Sequence, residues 1–214
     1  MSASGGWWES LRHSGLLLGP AETRRLETEL PVTPMGEAEG SQLRRDLNRF
    51  AAGELDRGPF VARILETVCG LGGAHGEWKR GSAVEAAWSR QLISGESRRP
   101  QQLWTGATGG RLPVFVEASR TSLGVGKSRK FLSDVVQWLR LARQPVALAT
   151  NGRQWRLLVA GMDYEASCEW DTELWFAEGA PGPQLEALRL LLQPGLYRPQ
   201  PSGLLRLEEL VNDA

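Results

Sequence analysis

This chain is poor in the residues that most often announce a chemistry. Among its 214 residues are two cysteines, two histidines and only three lysines, the rest of its 25 basic groups being arginine. Cys69 and Cys168 stand far apart, too few for a disulfide framework and without the second pair a zinc site needs, so both are expected to be ordinary reduced thiols. His13 and His75 lie alone in different segments, which argues against a metal or general-base role for either. No run approaches the ~18 consecutive apolar residues that cross a bilayer. Met1–Glu9 lacks the basic start and apolar core of a secretion signal, so no membrane partner is expected and the cytoplasm is the expected compartment. No internal repeat occurs, nor any S-adenosylmethionine or Asn-Pro-Pro-Tyr-type methyltransferase motif.

What is present is enough apolar material for a packed core, 41% of the residues, and a strongly uneven charge. The formal net charge is +0, yet residues 79–156 carry 14 basic and 4 acidic groups, a balance of +10, and residues 157–186 carry no basic and 7 acidic groups. The basic belt contains all three lysines, Lys79, Lys127 and Lys130. Such a belt attracts a phosphate backbone by counterion release. The alternative is that belt and acidic segment pair with each other as salt-bridged surface.

The first third reads as helical. Trp7, Trp8, Leu11 and Leu16–Leu18 suggest an apolar N-terminal turn, and helices are predicted over Ser41–Ala51 and Pro59–Cys69, with Pro31–Gly40 a loop. Strands are predicted at Gln101–Thr105, Val114–Ala118, Val146–Thr150, Trp155–Ala160 and Leu174–Ala177, with a crossover helix over Lys130–Arg143. Asn151-Gly152-Arg153 predicts a tight turn that tolerates positive φ. Helices over Pro183–Leu192 and Leu204–Asn212 complete the pattern. The expected division is a helical region over 1–75, an α/β domain over 76–195 and a helix or linker over 196–214. Because the last apolar-periodic helix has no cap, a further domain is expected beyond Ala214.

Val114-Phe115-Val116-Glu117-Ala118, then a helix, then Leu148-Ala149-Thr150-Asn151-Gly152-Arg153-Gln154-Trp155-Arg156-Leu157 and Gly161-Met162-Asp163-Tyr164 together resemble the N-terminal nuclease-like region of restriction-modification proteins. These are the type I restriction subunits and the fused restriction–adenine-methyltransferase proteins, including those of phage-defence islands such as DISARM. Leu11-Arg12-His13-Ser14-Gly15-Leu16-Leu17-Leu18 and Glu169-Trp170-Asp171-Thr172-Glu173-Leu174-Trp175-Phe176 are similar to the methyltransferase-fused group. The resemblance spans most of the chain, and its most specific piece is the Thr-Asn-Gly-x-x-Trp-Arg turn. It implies an α/β fold of restriction-endonuclease-like type, a mixed sheet flanked by helices with an N-terminal helical region.

In the PD-(D/E)xK core of that family, an Asp on one strand and a Glu on the next hold a divalent metal, and a Lys two residues after the Glu polarises water. Glu117 matches the glutamate and is the candidate metal ligand. Ser119 stands where the family has Lys, and Gln102-Leu103-Trp104-Thr105 on the preceding strand offers no Asp. Lys127 or Lys130 at the start of the helix would have to supply the ammonium, and Glu66 the second carboxylate. Magnesium is then the cofactor only if the nuclease is active, and S-adenosylmethionine belongs to a domain not present in this chain. For DNA contact the candidates are Arg120, Lys127, Arg129, Lys130, Arg153 and Arg156.

Gly124-Val125-Gly126-Lys127-Ser128 between a strand and a helix partly matches a P-loop, but Thr121 stands where the first Gly belongs, and only Asp163 weakly suits a magnesium aspartate. The better reading is a basic connection that reaches a DNA phosphate. The nine tryptophans are expected to fill the core. Asp163, Glu165, Glu169, Asp171, Glu173 and Glu178 lack the glycine of a calcium loop and are expected as solvated edge charges.

The sequence therefore points to a catalytically degenerate, nuclease-like domain that engages DNA beside a methyltransferase domain or other restriction or defence subunits. The alternatives are an active magnesium-dependent endonuclease with a migrated lysine, and a non-enzymatic module that docks other subunits through its apolar N-terminal helices.

Overall fold

The computed structural model describes residues 6–118 and 121–214. Its centre is a seven-stranded sheet ordered β1-β9-β8-β7-β6-β5-β2. In chain order the elements are α1 (Gly6–Glu9), β1 (Arg12–Ser14), α2 (Pro20–Glu29), α3 (Glu37–Ala51) and α4 (Arg57–Arg63), which runs on into a π-helical turn over Ile64–Val68. There follow β2 (Gly76–Arg80), a small ribbon of β3 (Arg90–Gln91) and β4 (Ser97–Arg98), β5 (Gln102–Gly106) and β6 (Arg111–Val116). Then come α5 (Lys127–Ala142), β7 (Val146–Thr150), β8 (Gln154–Ala160), β9 (Glu165–Asp171), α6 (Pro183–Leu191) and α7 (Arg206–Asp213). Every neighbouring pair in the large sheet is antiparallel except β6 and β7, which α5 joins as a parallel crossover. The architecture is α/β, a mixed sheet flanked by helices.

Two apolar layers cover the sheet. On one face, Leu112, Val114, Leu148, Trp155, Leu157, Cys168 and Trp170 pack with the helical segments around Leu26, Leu43, Phe60, Ile64, Leu188 and Leu210. On the other, α5 lays Phe131, Leu132, Val135, Trp138 and Leu139, one stripe at helical spacing, over Phe115, Ala147, Ala149 and Leu158. Because both faces are covered, β7 is buried at every position and reads as the continuous Val-Ala-Leu-Ala-Thr rather than as an alternation. The small alanines let α5 approach closely. The helix ends at Ala142, followed by Arg143 in the left-handed region at φ 51°.

Several elements depart from the sequence expectation. The final strand is β9, not Leu174–Ala177, where a 3-10 turn over Thr172–Leu174 stands instead. Glu169 is accordingly no solvated edge charge. It is 5% exposed, faces Arg156 across β8 and Arg12 across β1, and accepts hydrogen bonds from Arg156 Nε at 2.9 Å and Nη2 at 2.5 Å. The cross-strand guanidinium is what permits a carboxylate in the middle of a buried strand. The N-terminal segment is not purely helical, since β1 forms the sheet's edge against β9. β2, with Glu77, Lys79 and Arg80, and α2, whose buried side includes Leu26 and Thr23, were not anticipated. The tryptophans at 104, 138, 155, 170 and 175 are fully buried, as expected of core filling.

Candidate functional site at the carboxyl ends of the parallel strands

In sheets of this kind, crevices open just outside the carboxyl ends of parallel strands. β6 and β7 end side by side. Glu117 N donates to Thr150 O at 2.8 Å, carrying the parallel pairing one residue past β6 and leaving the half-buried Glu117 at its mouth. Arg57, at the first position of α4, wraps this end by donating from Nη1 to Glu117 O at 2.9 Å and Ala118 O at 2.8 Å. On the neighbouring strand side, Gln101 Oε1 accepts from Val116 N at 2.9 Å.

The Asn151-Gly152 turn is built as the dipeptide predicts. Gly152 has φ +89°. Asn151 Oδ1 accepts from Arg153 N at 3.0 Å and Gln154 N at 2.7 Å, while Thr150 Oγ1 accepts from Gly152 N at 2.9 Å. The turn also holds the loop that follows β6, because Asn151 Nδ2 donates to Thr121 O at 3.0 Å and Gln154 Oε1 accepts from Leu123 N at 2.7 Å. The conspicuous Thr-Asn-Gly-x-x-Trp-Arg signature therefore has a structural role, with Trp155 buried beneath it and donating from Nε1 to Gly152 O at 3.1 Å.

The candidate residues do not all converge on this end in a free state. Glu66 is engaged by Arg80, which also reaches Gln102 Oε1 at 3.4 Å. Lys130 binds Glu96 at 2.6 Å and Asp134 at 3.2 Å, and these carboxylates raise its pKa. Arg153 bonds Glu173 at 2.8 Å and contacts Asp171 at 3.5 Å, and Arg156 is held by Glu169. Arg129 is exposed on the first turn of α5. Lys127 opens that helix. Arg120 and Ser119 lie outside the described residues.

Charge pairing across the chain is thus substantial. Arg140 with Glu165, Arg153 with Asp171 and Glu173, and Arg156 with Glu169 join the basic belt directly to the acidic segment. Among the described residues no cluster of three His, Cys, Asp or Glu forms a metal-ligand set. Among the described residues near Glu117, Gln101 offers a neutral amide bonded to Val116 N, Arg57 brings a guanidinium to the Glu117 carbonyl, and Glu66 is paired with Arg80. The P-loop reading fares no better, since Ser128 is completely buried and Asp163 follows β8 at the opposite end of the sheet.

Sequence reasoning did not foresee a cleft of about 670 Å³ beside this end. Its walls include Arg44 and Phe50 of α3, Arg57, the turn residues Asn151 and Arg153, and Phe176. Nothing in local periodicity signals it, because α3 and α4 are brought to the turn only by tertiary packing. The two thiols are buried, which pushes both far above the usual range, and Tyr197 is likewise raised by burial. No helix is long and apolar enough to cross a membrane among the described residues. No protein-family model, no curated protein and no solved structure matches this chain.

Proposed function

We propose that this chain is a nuclease-like domain that engages DNA at the carboxyl ends of β6 and β7 without cutting it. One observation carries the reading. β6 is followed directly by the carboxylate of Glu117, then by a helix and the β7–β8 hairpin, but among the described residues Gln101 and Arg57, not a second carboxylate, bond the end of that strand. A guanidinium and an amide suit a phosphate diester better than they suit magnesium. The implied setting is a cytoplasmic restriction-modification or phage-defence assembly, in which methyl transfer belongs to another domain. A restriction-endonuclease-like identity for the fold is part of the same proposal, supported by the order of strand, helix and hairpin around Glu117.

The test is fluorescence anisotropy with a duplex of unselected sequence over a range of salt. Binding is expected to weaken steeply as salt rises, with little sequence preference. Replacing Lys127, Arg129 and Lys130 together by glutamine should lower both affinity and salt slope, with Lys130 contributing least because Glu96 and Asp134 already hold it. Unchanged low-salt affinity in the triple variant overturns the reading in favour of a docking module. Of the N-terminal apolar residues, Trp7, Leu11, Leu17 and Leu18 are buried in the chain's own core, so a docking module would use exposed ones such as Leu16, 62% exposed. Ile93, 90% exposed beside α5, is a further exposed apolar residue.

A further inference from the structure

The cleft beside Asn151 has a chemistry more particular than a basic surface. At about 670 Å³ it lies within the range of small-molecule sites and opens outside the one parallel strand pair of the sheet. Phe50 lines it and is backed by Phe60, with ring centroids 4.3 Å apart and planes 4° from parallel, so the platform is flat and rigid. On the same helix, the Arg44 guanidinium lies 4.8 Å from the centroid of Phe176, presenting a second flat and cationic group. Arg44 and Arg57 bond carbonyl oxygens, of Gly179 and of Glu117 and Ala118, so their charges are not neutralised by these contacts. Arg57 Nε is in addition buried without a hydrogen-bond partner. The acids that line the cleft are Asp56 and Glu173, and Arg153 compensates the latter. The cleft therefore combines a stacking surface with surplus positive charge.

We infer that this cleft takes a single nucleotide, its base against Phe50 and its phosphate toward Arg44 and Arg57. A purely apolar segment would leave the guanidiniums unmatched, and a bare anion would leave the ring platform unused. The occupant is either an unpaired nucleotide of a DNA strand or a free mononucleotide, which share this chemistry. The strand source rests on the DNA-engaging reading above, whereas the free source does not.

Anisotropy with three probes separates these: a blunt duplex, the same duplex with one unpaired nucleotide at its end, and free deoxyadenosine monophosphate as competitor. The whole chain is expected to bind the overhanging duplex on the order of tenfold more tightly than the blunt one, the worth of one stacked base. Phe50→Leu, which keeps apolar bulk but removes the ring, should abolish that preference and leave blunt-duplex affinity unchanged. Arg44→Gln should reduce the preference without changing the melting temperature, which keeps the test independent of any effect of Phe50→Leu on folding. If no duplex binds but the mononucleotide does, and Arg44→Gln weakens it, the cleft assignment stands and the DNA reading falls. If blunt and overhanging duplexes bind equally in wild type, and the mononucleotide does not compete, the cleft assignment is overturned while the DNA reading stands. Failure of all three probes overturns both.

Discussion

Replacing Gly152 by valine puts a branched side chain at the tightest point of the β7–β8 turn. Two costs follow from the geometry. The residue sits at φ +89°, where an L side chain is strained by roughly 1–2 kcal/mol. A Cβ there would also collide with the Phe50 ring end, coming within 3.0 Å of Cε1 and 3.2 Å of Cε2 and closer still to Cζ. Relief requires Phe50 to tilt off Phe60, forfeiting an aromatic pair worth about 0.5–1.5 kcal/mol. The sum is about 1.5–3.5 kcal/mol, or a fall in melting temperature of roughly 3–14 °C for a domain of this size. Trp155 lies under the turn, so intrinsic tryptophan fluorescence during heating reads the transition. The two costs separate in a double-mutant cycle: Phe50→Leu should recover the collision part in the Gly152→Val background and leave the backbone strain. A melting temperature unchanged by Gly152→Val refutes the assigned turn geometry, and full recovery by Phe50→Leu refutes the backbone contribution.

Truncating the buried partner of Arg156 by Glu169→Ala should cost about 3 kcal/mol in urea unfolding, since the partly buried guanidinium loses its cross-strand carboxylate, and the Arg156→Met, Glu169→Leu pair should recover most of it. Additivity of the two single changes would sink that account. Burial raises Cys69, Cys168 and Tyr197 above their ordinary values of 9.0 and 10.0, so the folded state binds these protons more tightly than the unfolded one. Stability contributed this way is complete below about pH 9 and falls as pH rises beyond it. Neither thiol should react with a disulfide reagent at neutral pH before unfolding, and one of the two tyrosines should ionise only with the unfolding transition. An early thiol reaction would place a cysteine at the surface. With magnesium or manganese the chain should leave supercoiled plasmid intact, and nicking that Glu117→Ala and Lys127→Ala each abolish would establish an active centre.

The legible part of the fold was the part whose environment is uniform. β7 is apolar throughout because both faces are covered, α5 carries a clean stripe because one face is, and Asn151-Gly152 requires a positive φ that few residues accept. β9 was illegible because its central carboxylate is made tolerable by Arg156, a residue 13 positions away whose partnership only the strand register creates. β1 has three exposed residues and so no pattern at all. At the candidate site Glu117 and the turn were visible as motifs. The commitment of Glu66 to Arg80, and the cleft between α3 and the turn, depend on contacts between distant segments and leave no local trace.

The pairing of Arg12–Ser14 with Ser167–Glu169 also sets an order of assembly. β1 leaves the ribosome before every other strand described, yet the strand it pairs with is the last of them to be made. The hairpins β7–β8 and β8–β9 close through short loops and can form as soon as they emerge, whereas β1 must wait for nearly the whole sheet to exist. Until then the residues next to it, Leu17 and Leu18, have no core to enter and remain open to other chains. Slow growth at low temperature, or a chaperone that holds the nascent N-terminal segment, should therefore raise the soluble yield more than any change within the central strands.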